Sequence, residues 1–222
     1  MRGPILAYDW TVSVDLMAQQ DERRKKATQA KRAAILNAAR CLFAHKGFSE
    51  TNVNDIAAEA GIAKGTIYLY FPSKEQIYMA ALLEDARRLD SVTRERMEAV
   101  TWWRDKIEAY VRVRLEYLES RTAFFRIYLA EIRSMLLRGL PVHPDFFQVV
   151  RESEGLLGQT IAAAAARGDI REVDPELAAS AVVDLTRGLM ERRLINGGTT
   201  EDRDVRFALE LLCHSLSRTS QP

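Results

Sequence analysis

Residues 53–71 read VNDIAAEAGIAKGTIYLYF, and this stretch decides how the amino-terminal part of the chain folds. Its apolar spacing predicts a short helix over residues 53–60. Gly61 ends that helix, because glycine readily adopts the left-handed conformation of a tight turn. A second helix is predicted over about 64–71, stopped by Pro72. The stretch therefore has the layout of a helix-turn-helix.

The second of these helices has an inner and an outer face. At about 100° per residue, Ile67 and Phe71 share the inner face and are predicted to be core. The outer residues suit insertion into a major groove, because lysine and tyrosine reach phosphates while hydroxyl and apolar groups contact base edges. Helical hairpins also occur as plain packing units, so the pattern alone leaves that alternative open. The outer residues are Gly65, Thr66, Leu69 and Tyr70, with Lys64 and Lys74 as flanks.

Helices are also predicted on both sides of this stretch. Apolar residues from Ile35 to Phe43 follow helical spacing and end at Gly47, a C-cap residue. Thr51 or Asn52 is predicted to cap the next helix. Ser73 is predicted to cap a fourth helix that runs to Leu89. The remainder reads as long amphipathic helices without a convincing strand, so the fold class is all-α.

Composition excludes several classes of protein. The chain has 222 residues, of which 47% are hydrophobic and 28% charged, values typical of globular proteins. Its longest run of small apolar residues, Ile161 to Ala166, is too short to cross a bilayer. Asp9 and Asp15 interrupt any apolar core of a secretory signal. We therefore expect a cytoplasmic protein with no membrane partner.

Charge is unevenly distributed although the net charge is only +1. Residues 21–75 hold ten Lys/Arg and six Asp/Glu residues, whereas residues 76–222 hold twenty-one and twenty-three. A basic amino-terminal segment on a near-neutral body is typical of a phosphate-facing module. A solvated charged surface is the alternative.

Enzymatic motifs are absent from the sequence. The histidines His45, His143 and His214 are scattered and have no zinc-ligand spacing. The chain also has no P-loop, dinucleotide fingerprint or G-x-S-x-G nucleophile motif. We therefore expect no enzyme activity, no cofactor and no metal site.

The stretch from about Lys31 to Leu83 resembles the amino-terminal domain of the TetR/AcrR family of transcriptional regulators. The resemblance implies a helix-turn-helix DNA-binding domain over residues 27–90 and a helical ligand-binding and dimerisation domain over residues 91–222. Residues 1–26 are predicted to form a disordered extension, since residues 1–16 show no helical period. The matching positions are Gly47-Phe48, Thr51, Ile56-Ala57, Ala60-Gly61, Lys64-Gly65-Thr66, Tyr68, Tyr70-Phe71 and Lys74.

The resemblance also implies roles for individual residues. Thr66 and Leu69 would face bases, and Gly65 would allow close approach of the backbone. Val53 and Leu69 depart from residues common in the family, so the operator sequence does not follow. Each phosphate assignment has an alternative: Tyr68 as a packing residue, Lys74 as an ordinary surface residue and Thr51 as a helix cap. The residues implied to contact phosphates are Thr51, Lys64, Tyr68, Tyr70 and Lys74.

The family resemblance implies an effector pocket in the carboxy-terminal body, and aromatic residues are dense between Trp102 and Phe147. Such residues are typical of an apolar ligand pocket, in which Arg114, Arg121 or His143 would orient a polar group. Ordinary core packing is the alternative. The residues predicted to line the pocket are Trp103, Tyr110, Tyr117, Phe125, Tyr128 and Phe147.

The last two helices are predicted to form a homodimer interface. Two apolar helix faces can build a four-helix contact across a two-fold axis. A dimer would place two recognition helices about 34–36 Å apart, the spacing that reads a palindrome. The expected protein is a repressor released from an operator in double-stranded DNA by a small lipophilic molecule; the alternative is a helical ligand-binding or scaffold protein without DNA function. The predicted interface residues are Ala181, Leu185, Gly188, Leu189, Leu209, Leu212 and Leu216.

Overall fold

The structure, a computed structural model, describes residues 10–122, 144–196 and 202–217. Within these ranges every regular element is an α-helix, which confirms the all-α class. The helices are α1 (Trp10–Glu50), α2 (Val53–Ala60), α3 (Lys64–Tyr68), α4 (Lys74–Glu98), α5 (Trp103–Ser120), α6 (Pro144–Ala166), α7 (Pro175–Asn196) and α8 (Asp202–Leu216).

The turns of the amino-terminal domain fall where the sequence predicted them. Gly47 interrupts α1 with a φ of 81°, and Gly61 ends α2 with a φ of 66°, both in the region that favours glycine. The cap of α2 is Asn52, whose side chain accepts a hydrogen bond from the Asp55 amide. Helix α3 ends at Tyr68, earlier than predicted, and the chain continues in a turn in which the Phe71 amide donates a 2.9 Å hydrogen bond to the Ile67 carbonyl.

Two hydrophobic cores lie along α4. The first joins α1, α2 and α3 to the start of α4 through Ile77, Tyr78 and Ala81. The second joins the rest of α4, from Leu82 and Ala86 onward, to the body helices. The predicted boundary at residue 90 therefore falls inside a helix that both cores share, and α4 continues to Glu98 instead of ending near residue 89.

The body is organised around α5, which packs against α4, α6, α7 and α8. Its buried face carries Ile107, Tyr110, Val111 and Leu115 at helical spacing. None of the helices within the described ranges has the length and apolar character needed to cross a bilayer.

The structure differs from the sequence prediction at the amino terminus. Helix α1 begins at Trp10, so residues 10–26, predicted to be disordered, are helical. Residues 19–26 are rich in Gln, Glu, Arg and Lys, which have high helix propensity even without an apolar stripe. Every side chain from residue 19 to residue 33 is exposed, and we call this segment the N-terminal arm.

Candidate nucleic-acid interface

In the helix-turn-helix, a small buried contact between α2 and α3 holds one face of α3 against the amino-terminal core and leaves the other face on the surface. Ile56 and Ala57 of α2 and Ile67 of α3 are all buried in the amino-terminal core. The turn between the helices is closed by a hydrogen bond from the Ile62 amide to the Ala57 carbonyl, 3.0 Å long. Since one face of α3 is fixed in this way, the opposite face must point to solvent.

The outer residues of α3 and the following turn form a continuous exposed set, which we call the recognition surface. Leu69 is 83% exposed and Tyr68 is 47% exposed, unusual values for large hydrophobic side chains. Thr66 and Tyr70 are half-buried, and Tyr70 also packs against the first core. Exposed apolar side chains grouped on a short helix indicate a binding surface. The recognition surface comprises Lys64, Gly65, Thr66, Tyr68, Leu69 and Tyr70.

Neither packing within the chain nor the backbone conformation requires glycine at position 65. A Cβ atom built at this position meets no other atom within 4 Å, and the backbone φ is not positive. Glycine inside a helix costs about 0.5–1 kcal/mol relative to alanine. The open space above Gly65 therefore suits an external group that approaches the helix backbone closely.

Thr51 lies apart from this surface, so its implied phosphate contact is corrected. Its side chain is fully buried, and its hydroxyl donates a 2.7 Å hydrogen bond to the Gly47 carbonyl. This bond satisfies a carbonyl exposed where Gly47 interrupts α1. Thr51 is therefore neither a phosphate ligand nor the cap of α2.

Lys74 is also positioned differently from the expectation. Its ammonium donates hydrogen bonds to the carbonyls of Phe48 at 2.8 Å and Thr51 at 2.9 Å. It also lies 4.3 Å from the centre of the Phe48 ring, within range of a cation–π interaction. Lys74 thus joins the start of α4 to the chain between α1 and α2, and its contact with phosphate stays a prediction.

Replacing Lys74 by methionine is expected to lower stability without changing the salt dependence of DNA binding. Methionine keeps the aliphatic stem but removes charged hydrogen bonds to two carbonyls, a loss of roughly 1–2 kcal/mol. Urea denaturation measures the first effect, and DNA titration at several salt concentrations measures the second. A smaller salt slope at unchanged stability would support the phosphate assignment.

A charged junction on α4 links the amino-terminal domain to the body, and sequence reasoning missed it. The Asp85 carboxylate is 3% exposed and accepts a 2.9 Å hydrogen bond from Arg40 of α1. Arg121, at the end of α5, lies 3.9 Å from the same carboxylate. Burial raises the pKa of the Asp85 carboxyl, against the opposing effect of the Arg40 guanidinium. An acidic residue between Leu82 and Ala86, on the buried stripe of α4, was the available signal.

Replacing Arg40 by methionine is expected to lower the free energy of unfolding by about 2 kcal/mol, because a buried carboxylate loses its nearest cation. The loss should be smaller at acidic pH than at neutral pH. Protonation of Asp85, whose folded pKa is raised, removes the charge that needs a partner. Denaturation of Arg40→Met and of a control, Arg40→Met/Asp85→Leu, measures both effects. Equal instability of the two variants at both pH values would contradict this account.

Some of the residues predicted to line the pocket are buried in the body core, and the others lie outside what the structure describes. Trp103, Tyr110 and Tyr117 are buried in the body core. Phe125 and Tyr128 lie outside the described residues, as does the side chain of Phe147. Whether these residues line a pocket stays a prediction.

Arg114 brings a positive charge into the body core. It is 8% exposed and bonds to the hydroxyl of Thr93 on α4 and that of Ser153 on α6. Its guanidinium also lies 3.3 Å from the centre of the Tyr110 ring. The predicted alternatives were Arg121, which the structure places at the Asp85 junction, and His143, which lies outside the described residues.

The predicted dimer residues divide between the surface and the core. Ala181 and Gly188 are exposed on α7, and Leu185 is half-buried. Their exposed apolar neighbours are Leu177 and Ile195 on α7 and Phe207 and Leu211 on α8. The remaining four residues pack into the chain's own core, where they cannot form a contact face, and are corrected as interface residues; these are Leu189, Leu209, Leu212 and Leu216.

Among residues 10–122, 144–196 and 202–217, no three or more His, Cys, Asp or Glu side chains are grouped so as to hold a metal ion. The recognition surface itself presents lysine, hydroxyl and apolar groups.

The chain is similar in sequence to bacterial transcriptional regulators. Residues 35–81 match the family model described as bacterial regulatory proteins, tetR family. The chain is 29% identical over 163 residues to the HTH-type transcriptional regulator RutR of Escherichia coli, across 69% of this chain and 71% of RutR. The family-model match includes the helix-turn-helix.

Solved structures show the same fold over most of the chain. The fatty acid degradation regulator FadR from Bacillus halodurans has a TM-score of 0.71 at 22% identity, covering 86% of this chain and 97% of that one. The transcriptional regulator FadR from Bacillus subtilis, in complex with stearoyl-CoA, has a TM-score of 0.66 at 23% identity. That match covers 81% of this chain and 96% of the other.

Proposed function

We propose that this chain is a member of the TetR family of bacterial transcriptional regulators and that it is a repressor. As a family member it is a ligand-responsive DNA-binding protein and not an enzyme. The proposed repressor is a cytoplasmic homodimer that binds a palindromic operator and leaves it when a small lipophilic molecule binds the body.

The observation that carries the DNA-binding proposal is the recognition surface. It is exposed, it lies on the second helix of a helix-turn-helix, and Gly65 leaves room for a duplex to approach the backbone. In this proposal Thr66 and Leu69 face bases, while Lys64, Tyr68 and Tyr70 contact phosphates.

The test is a mobility-shift titration of the full chain with DNA from upstream of its own gene, at moderate salt. Specific binding should exceed binding to a mixed-sequence duplex by about a thousandfold or more. Equal affinity for the two duplexes would favour the alternative, a helical ligand-binding or scaffold protein that has lost DNA function. Repression is tested separately, by transcription from the upstream fragment with and without the protein.

The proposed dimer uses the outer faces of α7 and α8. These helices pack against each other and expose Leu177, Ile195, Phe207 and Leu211, residues that a monomer would leave in water. Ala181 and Gly188 share the same face of α7, where small side chains allow a partner helix to approach closely. The proposed dimer face therefore comprises Leu177, Ala181, Gly188, Ile195, Phe207 and Leu211.

The proposed effector is a lipophilic acid. Its support is the set of buried aromatics on α5, the guanidinium of Arg114 beside them, and the fold shared with a regulator solved with stearoyl-CoA. An arginine fork binds carboxylate or phosphate groups well.

Stearoyl-CoA, stearate and free coenzyme A are the probes to compare. Release of DNA by stearate or stearoyl-CoA, with no release by coenzyme A, is expected; release by coenzyme A alone would refute the lipophilic class.

The proposed route of response runs through α4. An effector that displaces α4 or the end of α5 would disturb the contacts of Asp85 with Arg40 and Arg121. Since Arg40 lies on α1, the disturbance reaches the amino-terminal core and changes the separation of the recognition helices. A coupling of about 1–3 kcal/mol is typical of such linkage.

A further inference from the structure

We infer that the N-terminal arm binds the phosphate backbone of duplex DNA outside the base pairs that the recognition surface contacts. The inference rests on the proposed DNA-binding function and extends it to a segment that lies outside the helix-turn-helix. It follows from where the positive charge of the chain lies.

The folded part of the amino-terminal domain has no net charge. Residues 34–75 contain four Lys/Arg and four Asp/Glu residues. Three of the cations are engaged within the protein: Arg40 with Asp85, Lys46 with Asp55, and Lys74 with backbone carbonyls. Lys64, exposed at the start of α3, is the fourth. Electrostatic attraction dominates affinity for duplex DNA. Because residues 34–75 have no net charge, this part of the domain gains little from that attraction.

The N-terminal arm supplies the missing charge. Residues 19–33 contain six Lys/Arg and two Asp/Glu residues, a larger positive excess than that of the whole chain. All fifteen side chains are exposed, and alanines are the only apolar residues among them. A helix that is polar on every side lacks the apolar face needed to dock on a protein core or a membrane surface. Its chemistry instead fits a polyanion.

The arm leaves the folded domain beside the recognition surface. The guanidinium of Arg32, near its carboxy-terminal end, lies 5.3 Å from the centre of the Phe71 ring. Phe71 directly follows Tyr70, the last residue of the recognition surface. The cluster Arg23–Lys26 lies six to nine residues earlier, about 9–14 Å along the helix at 1.5 Å per residue. In the inferred complex, a duplex that meets the recognition surface brings its flanking phosphates to this cluster.

The test compares two variants of the full chain that lose the same amount of charge. The arm variant carries four substitutions, Arg23→Gln, Arg24→Gln, Lys25→Gln and Lys26→Gln; glutamine has a helix propensity close to that of arginine and lysine. The control carries four substitutions of exposed arginines in the body: Arg94→Gln, Arg96→Gln, Arg151→Gln and Arg167→Gln. Both are titrated with a mixed-sequence duplex at several salt concentrations, after circular dichroism has shown equal helix content.

We expect the arm variant to bind at least tenfold more weakly than the wild type at low salt. Its slope of log K against log salt should be smaller by at least about two, since each lost phosphate contact removes about 0.9. The control should stay within about threefold. Equal affinities and slopes for the two variants would overturn the inference while leaving the proposed function standing. A wild type that binds no duplex at low salt would overturn both.

An anionic membrane is the alternative partner of the arm. The same two variants distinguish membrane binding from DNA binding. Loss of binding to phosphatidylglycerol vesicles in the arm variant, with DNA affinity unchanged, would also overturn the inference.

Discussion

Replacing Gly65 by alanine is expected to stabilise the fold and weaken DNA binding in the same molecule. The added methyl group meets no atom of the chain within 4 Å, so it strains nothing. Alanine in place of a helical glycine should raise the free energy of unfolding by roughly 0.4–1 kcal/mol. The same methyl group occupies the space that a duplex would enter, at a cost of about 1–3 kcal/mol per half-site, comparable to one lost base contact.

Because the proposed dimer carries two copies of Gly65, the expected loss is about 2–6 kcal/mol, at least about thirtyfold in specific affinity. Thermal denaturation and fluorescence titration of the upstream DNA measure the two effects. Gly155→Ala is the matched control: a Cβ there also meets nothing within 4 Å, and the residue lies on α6, away from the recognition surface. If Gly65→Ala bound DNA as tightly as this control, the recognition surface would have been assigned to the wrong face of α3.

The helix-turn-helix could be predicted from sequence because its determinants are local. The left-handed turn at Gly61 and the cap before α2 depend on residues within a few positions of each other. The choice between Thr51 and Asn52 as the cap is left open by the sequence pattern. It depends on Gly47, whose carbonyl captures the Thr51 hydroxyl and leaves the cap to Asn52.

The roles of charged residues could not be predicted, because they depend on partners distant in sequence. Lys74 bonds to carbonyls 23 and 26 residues earlier, and Arg40 bonds to a carboxylate 45 residues later. A pattern that places a lysine at the flank of a recognition helix does not reveal that its ammonium is already engaged. Only after these pairs are assigned do Lys64 and the N-terminal arm stand out as the remaining positive segments. Within the arm, Lys26 still pairs with Glu22, and Arg32 lies 4.0 Å from Glu84.

The final helices show a second limit of pattern reading. Helical spacing in α8 groups Leu209, Leu212 and Leu216 on one stripe, which sequence analysis assigned to a partner subunit. A leucine stripe fits the chain's own core equally well, and the structure buries these residues there. The face left for a partner is the opposite one, marked by Phe207 and Leu211, which are 57% and 53% exposed.

Replacing Leu211 by aspartate is therefore expected to separate the proposed dimer and abolish operator binding. In a two-fold contact each substitution appears twice, so two carboxylates would be buried against an apolar surface without a partner. A monomer presents one recognition surface and would retain only the affinity of one half-site. Specific binding at about 10⁻⁸ M or tighter should then weaken at least a thousandfold, toward the level of non-specific binding.

Sedimentation velocity and DNA titration of the same Leu211→Asp sample decide the matter. The control is Trp102→Asp, which also exchanges an exposed large apolar side chain for a carboxylate but lies at the start of α5. Aspartate suits the cap position that Trp102 occupies, so this control should fold, dimerise and bind DNA normally. A Leu211→Asp protein that sediments as a dimer would place the interface elsewhere. One that sediments as a monomer yet binds the operator with full affinity would show that a single recognition surface suffices, and the palindromic operator would have to be abandoned.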